Sequence, residues 1–455
     1  MIPFGVFAQP ALYKSSPSDY AWKVVGTAGF TDGRSQHLSF AISPLGEPFV
    51  AYSDSLNYDR VNVQKFDGSN WIFVGTPGFS ETYTGPLSLT FSPSGEPYIA
   101  FAISSVSGKL KIMKFNGTKW INVGNIISSY YGFSGVHIKV SPSGDPYVTY
   151  TDFENFFCGL NVIKFDGTNW ITVGTPDFAE PYPDAISFSF SPNGEPYVAF
   201  QDRSTFSPWT ATVMKYDGIN WITVGNASCS DGTAYDLSLS FSPYGQPYVA
   251  YQDVANSYKA TVKMFDGNTW ICVGSVGFTT NFVASTSIAF SSTGQPFLVF
   301  SEYNNDYWKA TVVKFTGSEW TPVGITSYSA SGNDSYTSLA FSPSGQPYIA
   351  FMDGANYNRA TVMKYDSVYY GITDYRQSQI SVYPNPAKST ITINLTTVTS
   401  KLQYIKVTDL AGTKMFETKT FEKKIILDIE NYPAGIYFIE LKLNESYNFM
   451  KFCKI

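Results

Sequence analysis

Apolar and polar positions in residues 20–366 follow one pattern that returns at intervals of about 50 residues, in seven copies. Each copy contains four short runs of alternating or continuous apolar residues, separated by turns with Gly and Pro. In one copy these runs are 221–225, 237–242, 248–253 and 260–266. Their length and their β-branched and aromatic composition predict strands. Four strands per repeat are typical of a propeller blade, so we predict an all-β fold whose first domain, 20–366, is a seven-bladed β-propeller.

Every copy begins with a Trp in a W-x-x-V-G segment. The seven residues are Trp22, Trp71, Trp120, Trp170, Trp221, Trp270 and Trp320. Because they recur at one position, we predict that they pack one blade against the next, each burying about 150–250 Å². The repeats start with such a segment, and none follows the last set of three strands at 337–366. We therefore predict that residues 20–26 form the outer strand of the last blade and close the ring.

Composition agrees with this fold, since aromatic residues make up 17% of the chain and charged residues only 15%. The net charge is −6 and the repeats carry no basic stripe, so nucleic-acid binding would lack its electrostatic contribution. No stretch approaches the roughly 20 apolar residues that span a bilayer. We expect a monomer with no nucleic-acid partner, no cofactor and no transmembrane segment.

The opening residues 1–10 are apolar and end like a secretory signal peptide, although they lack a basic start. We interpret them as a residual signal peptide with cleavage near Gln9, and an ordinary N-terminal strand is the alternative. The four cysteines have no metal-type spacing, and no metal site is expected. Their even number is compatible with disulfides, but free, partly buried thiols are the favoured interpretation. They are Cys158, Cys229, Cys272 and Cys453.

The two rims of the predicted ring differ in variability. Turns such as SPSGEP and DGSN hardly change between copies, which predicts one uniform rim. The other connections differ in length and are rich in aromatic and polar residues, so we expect the opposite rim to bind a ligand, a glycan or a protein. The candidate residues are Trp209, Trp308, Tyr303, Tyr307, Tyr130, Tyr131, Tyr182, Asp152, Asp202 and Arg203.

A ring of mostly acidic residues ends the second strand of each copy. Its members are Asp54, Ser104, Asp152, Asp202, Asp253, Glu302 and Asp353. Several face a basic residue across the next hairpin, as Asp54 faces Arg60. This spacing fits an ion pair or a turn-stabilising hydrogen bond, and exposed pairs contribute only about 0–1 kcal/mol. Asp152 and Asp202 lack the basic residue, so they are the first carboxylates to consider for a ligand.

Known catalytic patterns are missing, and we predict no catalytic residue. There is no G-x-S-x-G segment and no His or Cys cluster, and the two histidines, His37 and His137, are interpreted as structural. Paired carboxylates for glycoside cleavage depend on three-dimensional spacing. Whether the protein is an enzyme is therefore left open. The alternatives to a binding protein are a secreted glycosidase or polysaccharide lyase on the same scaffold, and a structural surface protein without a discrete ligand.

Residues 380–455 follow another pattern, short alternating strands separated by turns, which predicts a small Ig-like β-sandwich after a linker at 367–379. A YPNP segment, a D-L-x-G turn, a P-A-G-I-Y-F-I strand and a lysine-bearing end occur in order. This module resembles the C-terminal sorting domain of the type IX secretion system. The matching residues are Tyr383, Pro384, Asn385, Pro386, Asp409, Gly412, Gly435, Tyr437 and Lys451.

The resemblance implies export by the outer-membrane secretion machinery of a Gram-negative bacterium, removal of the module, and release or attachment at the cell surface. It implies nothing about the activity of the exported part. We therefore expect a secreted or surface-displayed propeller that binds an extracellular ligand through its variable face.

Overall fold

The computed structural model describes two separate units of the chain, Met1–Ser367 and Val368–Ile455. Within them it describes residues 20–103, 108–129, 132–152, 158–179, 181–204, 207–304, 306–324, 335–367, 380–395, 403–410, 412–420, 422–443 and 446–455. Predicted site residues Tyr130 and Tyr131 lie outside this part. No helix in the described residues is long and apolar enough to cross a membrane.

The first unit is a seven-bladed β-propeller, as predicted. Each blade is an antiparallel sheet of four strands, and blade 2 has a short fifth strand, β10. Blades 1 to 3 contain β2 (Ser35–Ile42), β3 (Pro48–Asp54), β4 (Arg60–Phe66), β5 (Trp71–Phe73); β6 (Thr84–Phe91), β7 (Pro97–Ile103), β8 (Gly108–Phe115), β9 (Trp120–Asn122), β10 (Ile127–Ser129); and β11 (Phe133–Val140), β12 (Pro146–Asp152), β13 (Gly159–Phe165), β14 (Trp170–Thr172).

Blades 4 to 7 repeat this order. They contain β15 (Asp184–Phe190), β16 (Pro196–Asp202), β17 (Thr210–Tyr216), β18 (Trp221–Thr223); β19 (Ala234–Phe241), β20 (Pro247–Asp253), β21 (Lys259–Phe265), β22 (Trp270–Cys272); β23 (Val283–Phe290), β24 (Pro296–Asn304), β25 (Tyr307–Phe315), β26 (Trp320–Pro322); and β27 (Ser335–Phe341), β28 (Pro347–Asp353), β29 (Arg359–Ser367), completed by β1 (Tyr20–Val24). Single 3-10 turns occur at Ser55–Asn57, Val254–Asn256 and Gly354–Asn356.

The ring closes through the N-terminal strand, which confirms the prediction made from the repeat count. β1 pairs antiparallel with β29, with Trp22 opposite Tyr365. The innermost strands of blades 7 and 1, β27 and β2, also lie side by side. Closure matters for function because it places residues from the two ends of the propeller next to each other.

The repeated Trp ties each blade to the preceding one. Its indole Nε1 donates a hydrogen bond of 2.7–2.8 Å to the Val carbonyl of the previous W-x-x-V-G segment, in all seven copies. The Gly after that Val has positive φ and no room for a side chain: a Cβ on Gly75 would lie 3.0 Å from Trp120 Cδ1. The motif is thus a blade-packing device, as predicted.

Inner strands are joined by a second repeated contact. Ser39 Oγ accepts a hydrogen bond from the Leu89 N–H of the next blade, at 2.9 Å, and three further serines do the same for their neighbours. These bonds satisfy the otherwise unpaired edge of the inner strand. Blade 3 departs from this pattern, because His137 occupies the serine position and Lys139 lies two residues further along β11.

The second unit consists of two antiparallel sheets around one core. Three strands form one sheet in the order β30 (Ile380–Tyr383), β31 (Thr390–Leu395), β34 (Lys424–Asp428). Four form the other in the order β33 (Lys414–Thr420), β32 (Gln403–Asp409), β35 (Gly435–Leu443), β36 (Ser446–Lys454). Ile391, Ile405 and Ile439 are fully buried between them. This is the predicted small β-sandwich.

Candidate ligand-binding face

The variable face is bordered by seven bulges, one in each innermost strand. At each bulge, two residues of the innermost strand face one residue of the second strand of the same blade. The bulge lies near the start of the innermost strand, at the end that carries the variable connections. The first bulge residue has φ of 48–57° in six blades: His37, Gly135, Ala185, Asp236, Ser285 and Tyr336. In blade 2 the bulge falls at 85–86. Five of these six are not glycine, and such backbone strain is typical of functional surfaces.

The bulge residues of blades 5, 6, 7 and 1 are linked. The Asp236 carboxylate accepts a hydrogen bond of 3.0 Å from the Ser285 N–H. Thr337 Oγ1 donates to the Ser285 carbonyl. The Tyr336 ring lies edge-on to the His37 ring, with 6.3 Å between centroids. Contacts between polar and aromatic residues therefore connect these four neighbouring blades along the variable face.

An aromatic cluster stands on blade 6 beside these bulges. Tyr303 and Trp308 face each other across the hairpin of β24 and β25, with ring centroids 5.5 Å apart. Phe282 stacks on Tyr303 at 4.6 Å and meets Trp308 edge-on at 5.6 Å. Tyr307, the third predicted site residue of this region, is 45% exposed near the hairpin tip. The structure thus brings three predicted site residues, Tyr303, Tyr307 and Trp308, onto one hairpin.

A cavity of about 310 Å³ adjoins this cluster, and we call it the blade 6–7 pocket. Its lining residues are Arg34, Ala284, Ser285, Ser301, Trp308, Ser335, Tyr336, Met352 and Asn358. The Ser301 hydroxyl is buried without a hydrogen-bond partner among the described residues. Ser335 Oγ contacts the Met352 sulfur at 4.0 Å. A buried hydroxyl without a hydrogen-bond partner lowers the stability of the fold, and a polar ligand in this cavity could supply the partner that Ser301 lacks.

A second cluster lies on blade 4 and contains Arg203 and Trp209. The Arg203 guanidinium lies 4.7 Å from the centre of the Trp209 ring and 2.5 Å from Asp184 Oδ2. Arg203 Nε also donates to Gln201 Oε1 at 2.6 Å. Arg203 is therefore already held by an aromatic ring, a carboxylate and an amide.

The remaining predicted site residues fall elsewhere on the same face. Asp202 Oδ1 accepts a hydrogen bond from the Ser204 N–H at 2.8 Å, which stabilises its own turn. Tyr182 is 48% exposed, and its N–H donates to the Cys158 carbonyl at 3.0 Å. Asp152 ends β12 opposite Gly159 and, with burial as the larger cause, helps to raise the pKa of the Cys158 thiol to about 11.

The acidic residues of the hairpins form turn hydrogen bonds. Asp54 is 2% exposed and accepts from the Leu56 N–H and from Asn62 Nδ2, both at 3.0 Å. Asp353 accepts from Asn356 Nδ2 at 2.8 Å and from Thr361 Oγ1 at 2.7 Å. Neither makes a salt bridge with a described residue. Of the two alternatives, the structure therefore shows the turn-stabilising hydrogen bond.

One further pair of carboxylates has unusual electrostatics. Partial desolvation by the surrounding blades raises the pKa of Asp236 although its side chain still reaches solvent, the nearby Asp184 carboxylate raises it further, and the hydrogen bond from Ser285 opposes both. Asp184 itself is paired with Arg203. One carboxylate is thus pushed toward its protonated form while its neighbour has a cationic partner, and paired acid and base groups in enzymes differ in this way.

A larger cavity, about 410 Å³, lies on the flank between blades 7 and 1. Its aromatic wall is the Phe30–Trp71 stack, with centroids 4.0 Å apart, and the Trp71 indole is bonded to the Val25 carbonyl. Because that Trp occupies the repeated packing position, we assign this cavity to blade packing. The described residues contain no cluster of His, Cys, Asp and Glu that could hold a metal ion.

Eight of the nine residues that line the blade 6–7 pocket were not selected from the sequence: Arg34, Ala284, Ser285, Ser301, Ser335, Tyr336, Met352 and Asn358. Three blades contribute them, so no local spacing connects them. The only local signal is the break in the repeat at the bulge, where small residues give way to His37, Asp236 and Tyr336.

The sorting-motif residues hold the C-terminal unit together. Asn385 Oδ1 accepts from the Cys453 N–H at 2.9 Å, and its Nδ2 donates to the Lys451 carbonyl at 3.2 Å. Gly412 has φ of 82° in the turn that begins at Asp409. Tyr437 is 3% exposed, and its hydroxyl donates to the Pro433 carbonyl at 2.7 Å. The other motif residues, Tyr383, Pro384, Pro386 and Gly435, lie at the ends of β30 and β35 or directly beside them.

Comparison of the propeller with known proteins gives distant similarities. The β-propeller domain of the Trilobed protease from Pyrococcus furiosus has 9% identity and a TM-score of 0.47, over 76% of this chain and 99% of that one. An α-L-arabinanase from Penicillium chrysogenum, complexed with arabinobiose, has 13% identity and a TM-score of 0.44, over 77% and 98%. A mutant of the Aleuria aurantia lectin in complex with Fucα1-6GlcNAc has 17% identity and a TM-score of 0.42, over 66% and 99%. No curated protein sequence matches the chain.

The C-terminal unit gives a direct match. Residues 381–454 match the family described as the secretion system C-terminal sorting domain. The match spans the seven-stranded sandwich and the motif residues that bind its turns and ends. The chain is therefore a β-propeller fused to a C-terminal sorting domain of the type IX secretion system, and it is exported to the cell surface or secreted.

Proposed function

We propose that the propeller binds an extracellular glycan in the blade 6–7 pocket, with Trp308 as the surface on which a sugar ring stacks. The observation that carries this proposal is the position of the Phe282–Tyr303–Trp308 cluster beside a cavity that contains the Ser301 hydroxyl, which is buried without a hydrogen-bond partner among the described residues. An aromatic face covers the apolar C–H side of a sugar, and nearby hydroxyls and amides bond its OH groups.

The dimensions of the pocket support a small ligand unit. Its volume of about 310 Å³ lies at the lower end of the range for small-molecule sites, about 300–1,000 Å³. It opens on the variable face, so a longer chain can continue outside it. We therefore propose that one sugar residue of an oligosaccharide or polysaccharide occupies the pocket.

A glycan screen with purified full-length protein tests this proposal. We expect wild-type protein to bind at least one glycan, and Trp308→Ala to weaken that binding by about 1–3 kcal/mol, as expected for an aromatic anchor. Tyr244→Ala is the matched control, because Tyr244 is an aromatic residue, 77% exposed, in a turn of the uniform rim. Equal binding by wild type and Trp308→Ala, with equal melting temperatures, would exclude the pocket.

A glycosidase on the same scaffold is the second candidate. Two observations favour it: the pKa of Asp236 is raised, chiefly by desolvation, and the nearby carboxylate of Asp184 is paired with Arg203. In that case Asp236 is the general acid. Chromatography of glycans after incubation tests it: products that form with wild type and not with Asp236→Asn support an enzyme, and unchanged glycans in both samples contradict it.

A further inference from the structure

Arg34 is the only charged residue among the described residues that line the blade 6–7 pocket. It lies directly before β2 of blade 1, and its carbonyl accepts a hydrogen bond of 3.1 Å from the Ser55 N–H, which fixes its backbone. Its side chain is exposed and makes no ion pair or hydrogen bond with another described residue. The pocket thus carries a positive charge that forms no ion pair within the part of the chain that the structure describes.

Two acidic residues of the neighbouring blade 1 hairpin are held in other contacts. Asp54 accepts hydrogen bonds from the Leu56 N–H and from Asn62 Nδ2. Asp59 Oδ1 accepts from Gln36 Nε2 at 3.3 Å. Neither forms a salt bridge with Arg34. The partner of the guanidinium is therefore to be sought in the ligand.

The other polar groups of the pocket are neutral. Ser285, Ser301, Ser335 and Tyr336 supply hydroxyls, and the Asn358 side-chain amide bonds no described residue. Hydroxyls and an amide suit the OH groups of a sugar, whereas they would leave a carboxylate without a counter-charge. A planar guanidinium supplies that charge and can bind a carboxylate through two parallel N–H donors.

We propose that this pocket selects an acidic sugar, a uronic or sialic acid residue, whose carboxylate binds Arg34 while its ring stacks on Trp308. This proposal rests on the glycan-binding function proposed above and adds the charge of the ligand to it. A neutral sugar would use Trp308 and the hydroxyls and would leave Arg34 without a partner.

Isothermal titration of the full chain against two matched pairs of probes tests the selectivity. One pair is trigalacturonic acid and its fully methyl-esterified form, and the other is sialyllactose and lactose. We expect one of the acidic probes to bind about five- to twentyfold more tightly than its neutral partner at low salt. The preference should shrink as salt is raised, because Arg34 is exposed and therefore screened.

Two substitutions separate the two proposals. Arg34→Gln should abolish the preference for the acidic probe and keep binding of the neutral one, whereas Trp308→Ala should weaken both. Arg60→Gln is the matched control, since it removes the same charge from the same face at a neighbouring hairpin and outside the pocket. The Arg60→Gln variant should prefer the acidic probe as strongly as the wild type does.

Three outcomes would overturn the acidic-sugar proposal. The first is equal binding of acidic and neutral probes by wild type, with binding lost in Trp308→Ala, which leaves glycan binding itself intact. The second is an equal loss of preference in Arg34→Gln and Arg60→Gln, which would indicate the general charge of the face. The third is no binding of any probe or screened glycan, which removes both proposals.

Discussion

Replacement of Trp22 by Ala should destabilise the whole propeller, although Trp22 lies near the beginning of the described chain. Its side chain is 8% exposed, packs against the Tyr365 ring at 5.4 Å and donates a hydrogen bond of 2.8 Å to the Val323 carbonyl of blade 6. Truncation of a buried Trp costs about 3–5 kcal/mol. Trp22→Ala therefore weakens both the closing strand and its contact with the neighbouring blade.

The expected shift in melting temperature follows from the size of the unit. Unfolding entropy near 60 °C is about 2.1 cal/mol/K per residue, so a unit of about 350 residues loses roughly 1.4 °C for each kcal/mol. A cost of about 3–5 kcal/mol then lowers the melting temperature by roughly 4–7 °C. Differential scanning calorimetry at several scan rates measures this shift and shows whether unfolding is reversible.

Trp120→Ala is the matched control, because Trp120 occupies the same repeat position inside the ring. It is 7% exposed and its indole donates to the Val74 carbonyl at 2.7 Å. If β1 is an integral part of the seventh blade, the two variants should shift the melting temperature by similar amounts. A clear shift in Trp120→Ala with none in Trp22→Ala would refute closure by the N-terminal strand.

Three further predictions concern single positions and the end of the mature chain. Burial, and to a smaller extent Lys139, lowers the pKa of His137 to about 4, so the folded state favours the neutral imidazole. The free energy of unfolding should therefore be highest above pH 6.5 and fall by at most about 3 kcal/mol as the pH drops toward 4. Urea unfolding across that range should show a smaller dependence in His137→Ser, which restores the residue of the other blades. Asp353→Ala should cost about 2–4 kcal/mol, because it leaves Thr361 and Asn356 without their acceptor, whereas Asp217→Ala in an exposed turn should change the melting temperature much less. Mature protein recovered from culture should end near residues 367–380 by intact-mass measurement, and a full chain ending at Ile455 would contradict removal of the sorting domain.

The blades could be predicted from the sequence because residues close together along the chain determine their strands and turns. Each strand shows its own pattern, each turn its own Gly and Pro, and the W-x-x-V-G spacing encodes a contact that recurs seven times. Even ring closure by β1 followed from counting segments. The sorting domain was equally accessible, since its motif residues occur in a characteristic order along the chain, although Asn385 bonds Lys451 and Cys453 at the far end of the unit.

Only part of the candidate site could be predicted from the sequence, because its residues come from blades that are distant along the chain. Trp308 and Tyr303 were selected because they interrupt the repeat in one hairpin. Arg34 could not be placed with them, since it reaches the pocket only because blade 1 follows blade 7 around the closed ring. The bulges were not predicted either, because a positive φ at His37 or Tyr336 depends on pairing with the next strand, and the change of residue type at these positions does not by itself indicate a bulge.

The proposed glycan site lies between blades 6, 7 and 1. A crystal structure of the full chain with a glycan identified in the screen tests it most directly. We expect a sugar ring stacked on Trp308 inside the blade 6–7 pocket, with its hydroxyls near Ser301 and Asn358. A glycan bound on the uniform rim, or beside Trp209 with an empty blade 6–7 pocket, would contradict it.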